Sequence, residues 1–166
     1  MSEKHIVVQG ATLKCKCSVE PKTDKLKVLS HKKEFVNDKD GKEKMIATDK
    51  EIGQTLEKNS FGKCKMQPNG SGDFLQCMAV ITSWSNVYEK VTLENKGKIL
   101  LENSKATCPI GGADCIFVDK HGQKTQGSNQ NAKNANATIH KQINPLSNLK
   151  KDDKILEYKG IEANIQ

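Results

Sequence analysis

Arginine is absent from this chain. Its 27 basic side chains are all lysines, set against 20 Asp and Glu, for a net charge of +7 over 166 residues. Lysine alone attracts phosphate without sequence preference, but the guanidinium fork that reads bases and clamps phosphates is missing. The lysines are also spread along the chain rather than gathered in a block, as on a solvated Lys/Glu/Asp surface. Specific nucleic-acid recognition is therefore disfavoured. Aromatic residues make up 4% of the chain and apolar residues 35%, where globular domains carry about 45–50% on a count that includes Gly. Such a chain builds a thin core and needs a second source of stability. Long hydrophobic runs are missing too, so stable membrane insertion is not expected. The opening stretch MSEKHIVVQGATLKC has no long apolar run followed by a small-residue cleavage site. This predicts synthesis in the cytoplasm, with any export by a route that reads no such signal.

What the chain has instead is short alternating segments punctuated by turns. HIVVQGATLKCKC reads as one or two strands kinked at Gly10, and KLKVLSHKKEFV alternates with Leu26 and Val28 on one face. NDKDGKEKMIAT joins a turn signal to a strand, the pattern of a hairpin, and VYEKVTLENKGKILL repeats it around Asn-Lys-Gly. No long segment has a 3.6-residue period, so the expected fold is all-β. Residues 53–61 are the stretch where a helical turn is an open alternative. From Thr125 the composition turns to Asn, Gln, Ala and Lys with almost no large apolar residues. The expected organisation is a domain over residues 1–124 and a polar extension over residues 125–166.

Six cysteines are the chemistry-bearing residues: Cys15, Cys17, Cys64, Cys77, Cys108 and Cys115. No two stand as Cys-x-x-Cys, which disfavours a zinc ribbon, a thioredoxin-like redox centre and c-type haem attachment. The histidines His5, His31, His121 and His140 carry no local signature of a Cys-His hydrolase, and no catalytic residue is expected. Two readings remain: three disulfides, disfavoured by cytoplasmic synthesis, or a metal held by thiolates from distant parts of the chain. Sulfurs around one zinc lie about 2.3 Å from it and under roughly 4 Å from each other. Cys15 and Cys17, on one face of an extended strand, start about 6.6 Å apart and share an ion awkwardly. The simplest alternative for Cys17 and Cys115 is that they are small buried hydrophobes. The lysines flanking Cys15 and Cys64 are expected on the opposite face, compensating thiolate charge only weakly.

Taken in order, GATLKC, FGKC, FLQC shortly ahead of a lone Trp, and SKATCPIGG resemble the cysteine-rich branch of the PAAR-like spike-tip family of contractile injection systems. The resemblance spans about residues 5–120. It departs from the family's pattern in low Pro content, in the additional Cys17 and Cys115 and in the Asn-rich tail. It implies a small conical tip of short β-hairpins organised around one structural zinc, with Cys15, Cys64, Cys77 and Cys108 as ligands. Gly111 and Gly112 would let the chain turn tightly past the last of these. The base of the cone would seat on the VgrG-like trimeric spike of a type VI secretion or related apparatus, with Ile6, Val7, Val8, Ile99 and Leu101 at the base or in the core. The implied role is structural rather than enzymatic: a tip that caps the spike, carries effectors and is exported with it to the extracellular space or a target cell. Two alternatives stand beside it, a small zinc-stabilised nucleic-acid-binding module and an effector whose activity lies in residues 125–166.

Overall fold

The computed structural model describes residues 4–36 and 43–123, all within one unit, Met1–Lys124. The expected C-terminal extension, and His140 with it, lie outside the described residues. Among the described residues the chain is all-β, with nine short strands and no helix. These are β1 Thr12–Cys15, β2 Thr23–Lys25, β3 Lys63–Pro68, β4 Phe74–Gln76, β5 Ser83–Ser85, β6 Tyr88–Thr92, β7 Lys98–Ile99, β8 Lys105–Cys108 and β9 Gly112–Lys120. Five of them form an antiparallel sheet in the order β2-β1-β9-β8-β5, and β3-β4 and β6-β7 form two hairpins. The sheet is open rather than closed into a barrel. No described helix is long and apolar enough to cross a membrane.

Alternation sets the strand faces. In β8, Ala106 and Cys108 are buried while Lys105 is exposed, the period of two that a half-buried strand requires. The longest strand, β9, is the spine: Lys120 pairs with Thr12 and Ile116 with Cys15 on β1, while Phe117 pairs with Lys105 on β8. The core that this sheet covers is aliphatic, built on Val7, Leu13, Leu26, Leu56, Ile81, Leu100 and Ile116, with Phe61 as the one buried large aromatic ring among the described residues. Of the apolar residues expected at the base or in the core, Val7 and Val8 are fully buried and Ile99 nearly so. Ile6 and Leu101 are half-buried and bridge each other.

Two expected turns lie among the described residues and follow the expected chemistry, while the expected NDKDG turn lies outside them. Gly10 takes φ +81° just before β1. The Asn-Lys-Gly turn joins β6 to β7 with Lys96 at φ +58° and the Leu93 N–H donating to the Gly97 carbonyl at 3.0 Å. Residues 53–61, by contrast, form no helical turn. They run as an irregular loop that bridges Gly53 to Ile81 and Leu56 to Leu26. The carboxylate of buried Asp24 accepts N–H groups of Lys58 and Ser60 from this loop, at 3.0 and 3.3 Å, and Asn59 Oδ1 accepts that of Leu56 at 3.1 Å. Side chains thus take the donors that a helical turn would have used. A second buried carboxylate, Glu51, accepts the N–H of Leu29 at 2.8 Å and the Ser30 hydroxyl, while its own carbonyl accepts Trp84 Nε1–H at 2.9 Å.

Candidate metal centre

The topology draws all six cysteines toward one end of β9. Cys15 closes β1, Cys64 lies in β3, Cys77 follows β4, Cys108 closes β8 and Cys115 lies within β9. Cys17 is not in a strand. β1 stops at Cys15, and the chain turns through Lys16 and Cys17, with the Ser18 N–H donating to the Cys15 carbonyl at 3.2 Å. The extended Cys15-x-Cys17 arrangement expected from alternation is therefore replaced by a turn. The cause is a second partner: residues 17–19 pair with residues 63–65, through Lys65 N–H to the Cys17 carbonyl at 2.8 Å and a Ser18–Cys64 bridge. All six are free thiols, so no disulfide is formed among them.

The sulfurs sense one another. The side-chain interaction with Cys115, and then burial, push the Cys15 thiol far above the ordinary thiol value. The same interaction brings Cys115 down to about 6, against an opposing contribution from burial, with the backbone of Cys108 and of Cys115 itself helping. The two sulfurs behave as a pair that sheds its first proton readily and its second reluctantly. Burial raises Cys17, and the nearby Cys115 and Cys64 add repulsion. Burial likewise raises Cys77, against an opposing contribution from the Phe61 backbone, and the neighbouring Cys64, Cys108 and Cys115 add to the rise.

These features suit thiolate ligation. Backbone N–H groups aimed at sulfur are the outer-sphere contacts that stabilise metal-bound thiolates. Lys16, placed by the turn, favours the charged forms of Cys17 and Cys115, so it does not sit idle on an opposite face. Lys14 and Lys63 do face away, paired with Asp119 at 2.5 Å and with Asp73. Gly111 makes room: a Cβ there would lie 2.7 Å from Cys115 Sγ and 3.4 Å from Cys17 Sγ. The next residue, Gly112, takes φ +83° where β9 begins.

The sulfurs nonetheless gather loosely. Among the described residues, one group of three or more His, Cys, Asp or Glu ligand atoms lies within 4.8 Å of one another: His5, Glu102 and His121. Cys15, Cys64, Cys77 and Cys108 share a pole but do not close to that distance. An all-sulfur site closes when a cation offsets the repulsion between thiolates and rotamers swing inward, which each Cys side chain does about a single χ1 bond. The His5 group is invisible in the sequence, since its members come from three separate parts of the chain. Cys115, for which the sequence suggests only a buried hydrophobe, interacts with Cys15 and lies in the field of Cys17 and Cys77.

Comparison with known proteins adds one finding. No curated protein and no solved structure matches the chain. The family model described as "Domain of unknown function (DUF4280)" matches residues 7–123, from the first buried valines through the end of the β9 segment, and the chain belongs to that family.

Proposed function

We propose that this protein is a metal-stabilised structural tip of the PAAR-like kind, which caps the VgrG-like trimeric spike of a type VI secretion or related contractile injection apparatus. The observation that carries this reading is the convergence of six cysteines, from β1, β3, β8, β9 and two connecting segments, on one end of a small all-β domain. A narrowing tip has too little interior for a large hydrophobic core, and closed thiolate coordination of zinc organises such a tip directly. In this reading Cys15, Cys64, Cys77 and Cys108 are the four ligands. Cys115, beside Cys15, positions that ligand, and Lys16 offsets part of the negative charge. A closed four-sulfur shell leaves no open position for activating water, which suits a structural role rather than an enzymatic one. Exposed Leu29 and Ile52 supply apolar surface of the sort a carrier trimer would bury. Export with the apparatus and carriage of effectors follow from that role.

The test is assembly. The zinc-loaded full chain is mixed with the purified trimeric spike protein of the same secretion locus, and the mass of the complex is measured. One chain per trimer supports the proposal. No complex with the spike, or salt-sensitive binding to random DNA in its place, contradicts it.

A further inference from the structure

The end of β9 opposite the cysteines carries a second cluster that the spike-tip reading does not use. His121 follows β9 directly and lies about 20 Å of extended strand beyond Cys115. Its ring stacks on that of His5, with centroids 4.3 Å apart and planes 6° from parallel. His5 Nδ1 lies 2.9 Å from Glu102 Oε2, and the Glu102 N–H donates to the His5 carbonyl, also at 2.9 Å. One ligand atom from each of the three side chains falls within 4.8 Å of the others, and His5 is exposed while Glu102 and His121 are half-buried.

Backbone contacts hold the three segments in place. Val8 N–H donates to the His121 carbonyl at 3.0 Å, and Gln123 Nε2 donates to the Ile6 carbonyl at 2.7 Å. Gly122 takes φ +82°, and a Cβ there would lie 3.0 Å from the Ala11 backbone nitrogen. The Glu102 turn is closed by Ser104 N–H to the Leu101 carbonyl at 2.8 Å. The three side chains thus project from a fixed frame, and exposure leaves the His5 ring free to tilt toward the other two. Gln123 N–H donates to His121 Nδ1 at 3.1 Å. Among the described residues neither His5 Nε2 nor His121 Nε2 has a hydrogen-bond partner.

We propose that His5, Glu102 and His121 form a binding site for a divalent transition-metal cation of borderline softness, such as zinc, distinct from the cysteine pole. Two imidazoles and one carboxylate are the donor set that such ions favour over calcium or magnesium, which take oxygen ligands. Three protein ligands leave a further position for water. Binding converges the two stacked rings on the ion, each through a ring nitrogen that carries no proton, and opens the direct His5–Glu102 contact. The ion ties the N-terminal segment and the Glu102 turn to residue 121, shortly before the chain passes into residues 125–166. It is a clasp at the exit of the domain.

The probe is zinc alone, added to full-length protein in a non-thiol reductant while imidazole nitrogen resonances are followed by NMR. The signals of His5 and His121 should shift together as one equivalent binds. His31, whose Nε2 donates to the Ile46 carbonyl at 2.6 Å, should not respond. Substitutions H5A and H121A should each weaken this binding event at least about tenfold. E102Q, which keeps the size and shape of the side chain, should weaken it as well. Zinc uptake at the cysteines is read separately, by thiolate-to-cobalt absorption after exchange with cobalt. Signals of both histidines that stay fixed, or a shift of one ring only, overturn the proposal whatever the cysteines do.

Discussion

The sulfur of Cys15, at the end of β1, lies beside that of Cys115 on the neighbouring strand β9, whose carbonyl accepts the Lys16 N–H at 2.9 Å. Their interaction eases negative charge onto Cys115 and opposes it on Cys15. With Cys15 as a ligand, Cys115 is its positioning partner. Cys115→Ser should therefore keep the metal stoichiometry and lower affinity by about 10- to 100-fold. Competition with a chromophoric chelator measures this. Complete loss of the metal would make Cys115 a ligand itself.

Gly111 and Gly112 should fail in different ways. Gly111→Ala pushes a methyl group to within 2.7 Å of Cys115 Sγ, an overpacking that costs about 1–3 kcal/mol and disturbs the sulfur pole. Gly112→Ala meets no atom within 4 Å but must hold φ +83°, at a cost of about 1 kcal/mol. Urea unfolding should show both variants destabilised. Chelator competition should show weakened metal binding only for Gly111→Ala.

Asp24 anchors the loop over residues 58–60. Its carboxylate is buried and takes backbone N–H groups from Lys25, Lys58 and Ser60. Asp24→Ala leaves those donors without their acceptor, each costing about 1–3 kcal/mol where water cannot replace it. A loss of about 3 kcal/mol or more is expected, with Asp24→Asn milder because its amide oxygen still accepts. Trp84, tied to the Glu51 carbonyl, reports unfolding by fluorescence.

Acid should weaken one strand pairing through Asp119. The hydrogen bond and charge of Lys14 hold its carboxyl below the usual range, with Thr12 adding a weaker hydrogen bond. A carboxylate depressed in the folded state stabilises above its unfolded value, and that contribution fades as pH falls through the lower folded value. The pair is partly exposed, so the effect is under about 1 kcal/mol. Thermal unfolding from about pH 7 down to about pH 3 should show a smaller acid-side drop in Asp119→Asn than in the parent. Equal slopes would mean that the pair contributes nothing.

Local chemistry is legible in the sequence. Gly10, the Asn-Lys-Gly turn and the alternation of β8 declare themselves because each depends on a few adjacent residues. The all-β fold follows from them. What stays hidden depends on distant pairing. Cys17 leaves the strand because residues 17–19 find residues 63–65, and Cys115 meets Cys15 because β9 lies against β1. His5 and Glu102 are 97 positions apart, so no spacing rule brings them together. The order of Cys15, Cys64, Cys77 and Cys108 marks the end of the domain where the sulfurs gather, but not how closely they approach one another.

The metal content of protein purified without added metal tests the proposed tip most directly. The expected result is about one zinc bound through sulfur per chain, lost in Cys108→Ser and kept in Cys17→Ser. Protein whose cysteines stay metal-free when zinc is supplied, or sulfur-bound zinc that survives Cys108→Ser, would contradict it.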